Sequence, residues 1–194
     1  MAGHFEPLPG GGAAVALDEV EISILRSLAV QLLELIGPGD QAADDDDPLA
    51  ALFAEGPSSP PSDPALARLF PDAYGGPGAA DDEKTREAAG EFRRFTENDL
   101  RARKREDALA MVHALDALGK GGAVLELNPE TSRQWLGALN DLRLAIGARL
   151  EVSDDDEEAG ELYTLPDSDS RKPMVMAYLW LGGMQESLIE TLMP

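Results

Sequence analysis

The stretch from Gly122 to Leu150, GAVLELNPETSRQWLGALNDLRLAIGARL, runs a short apolar strand into a helix with a clearly marked start. Ala123 to Leu127 is compatible with a β-strand. Asn128-Pro129 then sets a capping side chain before a proline whose fixed φ suits the first helical position. At about 100° per residue, Trp135, Leu136, Leu139, Leu142, Ile146 and Leu150 fall within one stripe roughly 120° wide. Arg143 lies inside that stripe. A strand feeding a helix that packs by one leucine-rich face points to a mainly α fold with a small β element.

The rest of the chain extends this pattern. Asp18 and Glu21, three positions apart, form a capping-box-like opening for a helix from Asp18 to Ile36, which stops at Gly37-Pro38. Asp47-Pro48 and Asp63-Pro64 open short helices around Leu49 to Ala54 and Ala65 to Phe70. Asp81 to Leu118 reads as one long helix ending at Gly119. Phe92, Phe95 and Leu100 are the few apolar anchors of its first two thirds, and Asn98 is a candidate break. A last helix runs from about Pro173 to Leu192, apolar on every side in its first half, which is therefore expected at the centre of the core. His4 to Leu8, followed by PGGG, can pair as a hairpin with Ala13 to Leu17. The sequence thus predicts a single-domain helical bundle over residues 1–194 with a two- or three-stranded antiparallel β element. Acidic or Pro/Gly-rich segments at 37–47, 56–63, 72–82 and 153–170 read as flexible loops.

Composition excludes whole classes of chemistry. The 194 residues are 43% hydrophobic, enough for one core. Acidic residues number 37 against 16 basic, a net charge of -21 that repels a phosphate backbone unless positive charge is concentrated locally. There is no cysteine, so disulfides, thiolate nucleophiles, zinc–thiolate sites and thiol switching are excluded. The start, MAGHFEPLPGGG, lacks the basic and apolar regions of a secretory signal. The stretch PMVMAYLWLGGM falls well short of the ~20 residues that span a bilayer. A cytoplasmic protein without a membrane segment is expected.

Two groups of residues are candidates for function. Glu21 falls on the apolar face of the first helix as Arg143 does on its own, so the two are expected to pair when the helices pack, because an isolated buried charge is costly. The alternatives are a charge that snorkels to solvent and a pocket in which Arg143, with nearby Asn140 and Asp141, receives an anion or a partner's carboxylate. Arg93, Arg94, Arg101, Arg103, Lys104 and Arg105 put 6 of the 16 cations into 13 residues. Interleaved Glu91, Glu97, Asp99, Glu106 and Asp107 make this first a solvated face of helical ion pairs, then a docking surface for an acidic protein, and last a DNA contact.

Other motifs fail on inspection. An EF-hand alignment starting at Asp155 puts Pro166 where the bidentate glutamate belongs, so the runs Asp44 to Asp47 and Asp154 to Glu158 read as solvated linkers. Gly119-Lys120-Gly121 breaks the Walker pattern. His4 and His113 do not share metal-ligand spacing, and His113 is expected in or beside the core. Trp135, Tyr178 and Trp180 read as core anchors. No catalytic residue, cofactor site or metal site emerges, and the chain is read as a noncatalytic protein.

The blocks VALDEVEISILRSLAVQLLELI and LELNPETSRQWLGALNDLRLAIGARL, in that order and at that separation, resemble an actinobacterial family. It was long classed as a domain of unknown function, and its members are now often named oxidative-stress transcriptional regulators of the AosR type. The resemblance covers nearly the whole chain. It implies a transcriptional regulator in the cytoplasm acting through a protein partner such as a sigma factor or RNA polymerase, and it leaves a homodimer open. The thiol-switch mechanism proposed for the family cannot operate here without cysteine. The alternatives are direct DNA binding through the Arg93 to Arg105 helix, disfavoured by charge and by the lack of a basic recognition helix, and an enzyme with a pocket near Arg143.

Overall fold

The computed structural model describes residues 3–38, 56–74, 82–119, 121–152 and 164–193. The segments 39–55, 75–81 and 153–163 carry the expected helix around Leu49 to Ala54, both acidic runs and most of three of the four expected loops. All of these lie outside the described residues, as does Lys120.

Helix starts follow the capping residues. The Asp18 carboxylate accepts from the Glu21 N–H at 2.8 Å, and the Glu21 carboxylate accepts from the Asp18 N–H at 2.9 Å. This closed box opens helix α1, Glu19–Ile36, which ends at Gly37 with φ 66°. Asp63 caps a short helix α2, Pro64–Leu69, and Asp82 caps the long helix α3, Glu83–Asp116. Asn128 accepts from Thr131 N–H at 2.9 Å to start α4, Pro129–Arg149. The last helix, α5, spans Lys172–Leu192. Among the described residues the helices therefore number five, joined by three strands: β1 Glu6–Pro7, β2 Ala13–Leu17 and β3 Ala123–Leu127.

The sheet is antiparallel in the order β1-β2-β3, with Val15 opposite Leu125 and Ala13 opposite Leu127. Gly12, at φ 99°, must pass so close to β3 that an added Cβ would sit 2.3 Å from the Leu127 carbonyl oxygen. One face of the sheet, Ala13, Val15, Leu17, Leu125 and Leu127, is buried with Leu25, Leu32, Met111, Leu115, Trp135, Leu139, Leu181 and Leu188 from four helices. Phe5 stands edge-on to Trp135 at 6.1 Å between centroids, and its N–H donates to the buried Ser187 hydroxyl at 3.1 Å. That bond ties the N-terminal hairpin to the last helix.

Several expectations are corrected. Helix α3 is unbroken at Asn98. Its expected anchors point outward, Phe92 being 46% and Phe95 62% exposed, while Arg93 and Glu97 are buried. Backbone carbonyls and Asp72 draw Arg93 and Arg101 inward, while the Phe92 ring packs edge-on against the exposed Tyr74 at 5.9 Å between centroids. Residues 56–58 lie against the same helix: Gly56 N–H donates to the Arg94 carbonyl at 2.8 Å, and a Cβ on Gly90 would sit 2.7 Å from the Ser58 carbonyl oxygen. Helix α5 buries Val175 and Leu181 from its first half and Met184 and Leu188 from its second, while Met174 and Met176 are exposed near its start, so the first half is not buried on every side. His113 is exposed on the last turn of α3 rather than in or beside the core.

Candidate functional site

The basic cluster of α3 is largely consumed within the molecule. Glu97, only 3% exposed, accepts from Arg93 Nη1 through one carboxylate oxygen and from Arg101 Nη2 through the other, at 2.7 Å. Arg93 Nη2 reaches the Phe70 carbonyl at 2.9 Å and Asp72 at 2.8 Å, which closes the end of α2. Arg101 donates to the Ile36 carbonyl and stacks over the Phe70 ring at 4.4 Å. Arg105 donates to the carbonyls of Leu33 and Gly37. Helix α1 has no basic residue in its own last turn, so α3 supplies the cations that its C-terminal carbonyls call for. Lys104 is bound to Asp141 of α4 at 2.6 Å.

For Arg93, Arg101, Lys104 and Arg105, internal contacts replace the expected solvated face, while the expected helical pairing with an interleaved acid forms at Glu97. Four of the six are held by partners on α1, α4, Glu97 or the α2 end. The Arg94 guanidinium lies over the Phe95 ring at 5.2 Å. Arg103 is the exposed member. Phosphate contacts would have to compete with these internal acceptors.

Glu21 and Arg143 are not brought together. Glu21 is spent on its own N-cap, a contact across three residues that needs almost no loop closure. Arg143 donates through Nη1 to Gln185 on α5, and Gln185 in turn donates to Asn140 at 3.4 Å. The Arg143 guanidinium lies 5.1 Å from the centroid of the Tyr178 ring and passes over Gly182, whose absent side chain leaves room for it. Tyr178 is thus a half-buried platform for the arginine rather than a core anchor. Trp135 is fully buried and Trp180 partly so.

Asp107 of α3 and Asp141 of α4 form an acidic pair in the interface of these helices. Asp107 fills the space beside Gly137, where a Cβ would come within 2.4 Å of its carboxylate. Burial pushes the Asp107 carboxyl up to about 6, with Arg103 and Lys104 pulling against it and Asp141 and Glu106 adding to it. Burial also raises Asp141, against the pull of Lys104 and Asn140. A carboxyl raised in the folded state binds its proton more tightly there than in the unfolded chain, so its contribution is retained at low pH and lost as pH climbs through about 6. Melting temperature is therefore expected to rise as pH is lowered from 7 to 5. Asp107→Asn, which keeps the contact with Gly137, should raise stability at pH 7 and flatten that slope in thermal denaturation. An unchanged slope would place Asp107 in solvent.

A second feature is an apolar groove of about 680 Å³ between α1, α4 and the start of α5. Leu28, Leu32 and Leu35 form one wall, Leu142, Ala145 and Ile146 another, and Pro173, Met174 and Ala177 the third, with Gln31 and Arg149 at its edge. Leu32 is buried, whereas Leu28 and Leu35 are half-buried. No sequence signal distinguishes a leucine under the core from one beside an open groove. Among the described residues no cluster of three or more His, Asp or Glu is placed to hold a metal ion, and no helix is long and apolar enough to cross a membrane.

Comparison with known proteins bears on these features. A family model described as a domain of unknown function, DUF2017, matches residues 2–192. Proteins named oxidative stress regulator AosR from Mycobacterium bovis and Mycobacterium tuberculosis are each 31% identical over 180 residues, covering 89% of this chain and 78% of theirs. A putative oxidative stress regulator AosR from Mycobacterium leprae is 31% identical over 182 residues, covering 89% of this chain and 79% of its own. No solved structure matches the chain.

Proposed function

We propose, since this chain belongs to the DUF2017 family, that it is a noncatalytic transcriptional regulator working in the cytoplasm through a protein partner, a sigma factor or RNA polymerase. The observation that carries this reading is the 31% identity, over 89% of the chain, to proteins named oxidative stress regulators. Two structural features favour a protein partner over DNA. Four of the α3 cations, Arg93, Arg101, Lys104 and Arg105, are engaged inside the fold, in a chain of net charge -21. The α1/α4/α5 groove is apolar, and Met174 on its wall is 42% exposed, a flexible side chain suited to an adaptable contact. The occupant that fits is an amphipathic helix of the partner, apolar on one face and flanked by basic residues that complement the acidic chain.

The reading predicts that tagged protein retains a sigma factor or polymerase subunits from the same organism, and that Met174→Glu abolishes this retention while leaving the melting temperature unchanged. Retention that is unaffected by Met174→Glu would remove the groove from the account. A salt-sensitive gel shift with DNA that disappears in Arg103→Glu would favour direct DNA binding instead.

A further inference from the structure

The arginine that decides the fold stripe also opens onto a separate cavity. Residues of α2, α4 and α5, Arg143 among them, line a cavity of about 570 Å³ that shares no lining residue with the apolar groove. Arg143 commits Nη1 to Gln185. Its Nε is buried without a partner, and Nη2 makes no hydrogen bond among the described residues. Tyr178 stacks against the guanidinium on one side and touches Gly147 on the other, where a Cβ would meet its ring at 3.4 Å. The guanidinium is thereby held in place, with one end left for a guest.

A second cation completes the cavity. Arg68 of α2 lines it, is exposed and forms no ion pair among the described residues. Ala67, Leu144 and Val152 supply an apolar floor, and Glu151 stands on the rim within electrostatic range of Arg171. In a chain this acidic, two arginines line one cavity with no carboxylate among the described residues bound to either.

We propose that this cavity binds a small organic monocarboxylate, with the carboxylate between Arg143 and Arg68 and an apolar body on the floor. Arg143 Nη2 can give the carboxylate one charge-assisted hydrogen bond, Arg68 supplies the second cation, and stacking on Tyr178 fixes the plane of the Arg143 guanidinium. The Glu151 carboxylate at the rim disfavours a dianion such as a phosphate monoester, and the apolar floor disfavours a small hydrated inorganic ion. The proposal stands apart from the choice of macromolecular partner.

The test uses benzoate as probe, with benzamide as its uncharged counterpart and phenyl phosphate as the dianion, followed by amide chemical shifts of the full chain. Benzoate is expected to give saturable shifts centred on Gly147 and Gly182, and benzamide none. Arg143→Gln should weaken benzoate binding at least about tenfold, the loss of one charge-assisted pair. Arg68→Glu, at an exposed position that cannot disturb the core, should abolish it. Arg143→Lys should restore binding only in part, because a lysine keeps the charge but not the planar fork. Absence of saturable binding, equal shifts from benzamide, tighter binding of phenyl phosphate, or binding that survives Arg68→Glu would each overturn the proposal.

Discussion

Glu97→Ala is expected to lower the stability of this protein by about 3–5 kcal/mol, the loss that follows when one partner of a buried ion pair is removed. Both oxygens of the Glu97 carboxylate are engaged, one by Arg93 and one by Arg101. Arg93 is itself only 4% exposed. Removing the carboxylate leaves two guanidinium groups facing each other in a space closed by Phe70 and the end of α1. Asp72 and the carbonyl oxygens remain as acceptors but cannot supply the missing charge. For a chain of this size the loss corresponds to a fall in melting temperature of roughly 6–20 °C. The control is Arg103→Ala, an exposed member of the same cluster, expected within about 0.5 kcal/mol of wild type. If the two variants melt together, Glu97 is in solvent and the clasp does not form.

The second large effect is expected at Trp135. This side chain is fully buried, packs edge-on against Phe5 and lies at the meeting of sheet and helices. Trp135→Ala should cost about 3–5 kcal/mol through lost contact and the cavity left behind. Its indole N–H has no acceptor, so part of what the residue contributes is offset by an unsatisfied donor. Trp135→Phe removes that donor while keeping most of the ring, and should cost less than about 1.5 kcal/mol. Urea denaturation of both variants measures the difference. Equal losses would mean that the indole nitrogen is satisfied and the tryptophan is held by polarity as well as by packing.

The elements most legible in the sequence are those written by contacts between near neighbours. Asp18 with Glu21, Asp63-Pro64 and Asn128-Pro129 each place a cap within three residues of the group it satisfies, and each starts a helix where expected. The PGGG turn and the alternation of Ala13 to Leu17 likewise fix the hairpin and its inward face. Glu21 shows where such reading divides. Its position satisfies both a capping box and an apolar-face pattern, and the local bond prevails because it closes at little entropic cost.

What could not be read concerns partners far apart in sequence. Spacing of four between Arg93 and Glu97 looks the same on a solvated face as in the interior. The acceptors that draw these arginines inward are the carbonyls of Phe70, Ile36, Leu33 and Gly37, 23 to 72 residues away. Backbone oxygen at a helix end has no signature in the side-chain pattern of a distant helix. Phe92 and Phe95 were read as anchors for the same reason: hydrophobicity ranks residues, but it does not reveal which neighbours a helix face will meet. Arg143 was legible as an exception within a leucine stripe. Its companions Gln185, Tyr178 and Arg68 came from α5 and α2 and were visible only once those helices were placed.

These features combine into one functional account. The arginines of α3 hold α1, the end of α2 and α4 in register, and by doing so they shape the apolar groove bounded by α1 and α4. The absence of cysteine removes a thiol from the list of inputs.

The most direct test is a titration of purified RNA polymerase holoenzyme, and of its free sigma factor, into wild-type protein and the Met174→Glu and Arg103→Glu variants at low and high salt. The account predicts saturable binding that is only modestly weakened by salt, is lost in Met174→Glu and is retained in Arg103→Glu. Binding that ignores Met174→Glu, falls steeply with salt and disappears in Arg103→Glu would contradict it.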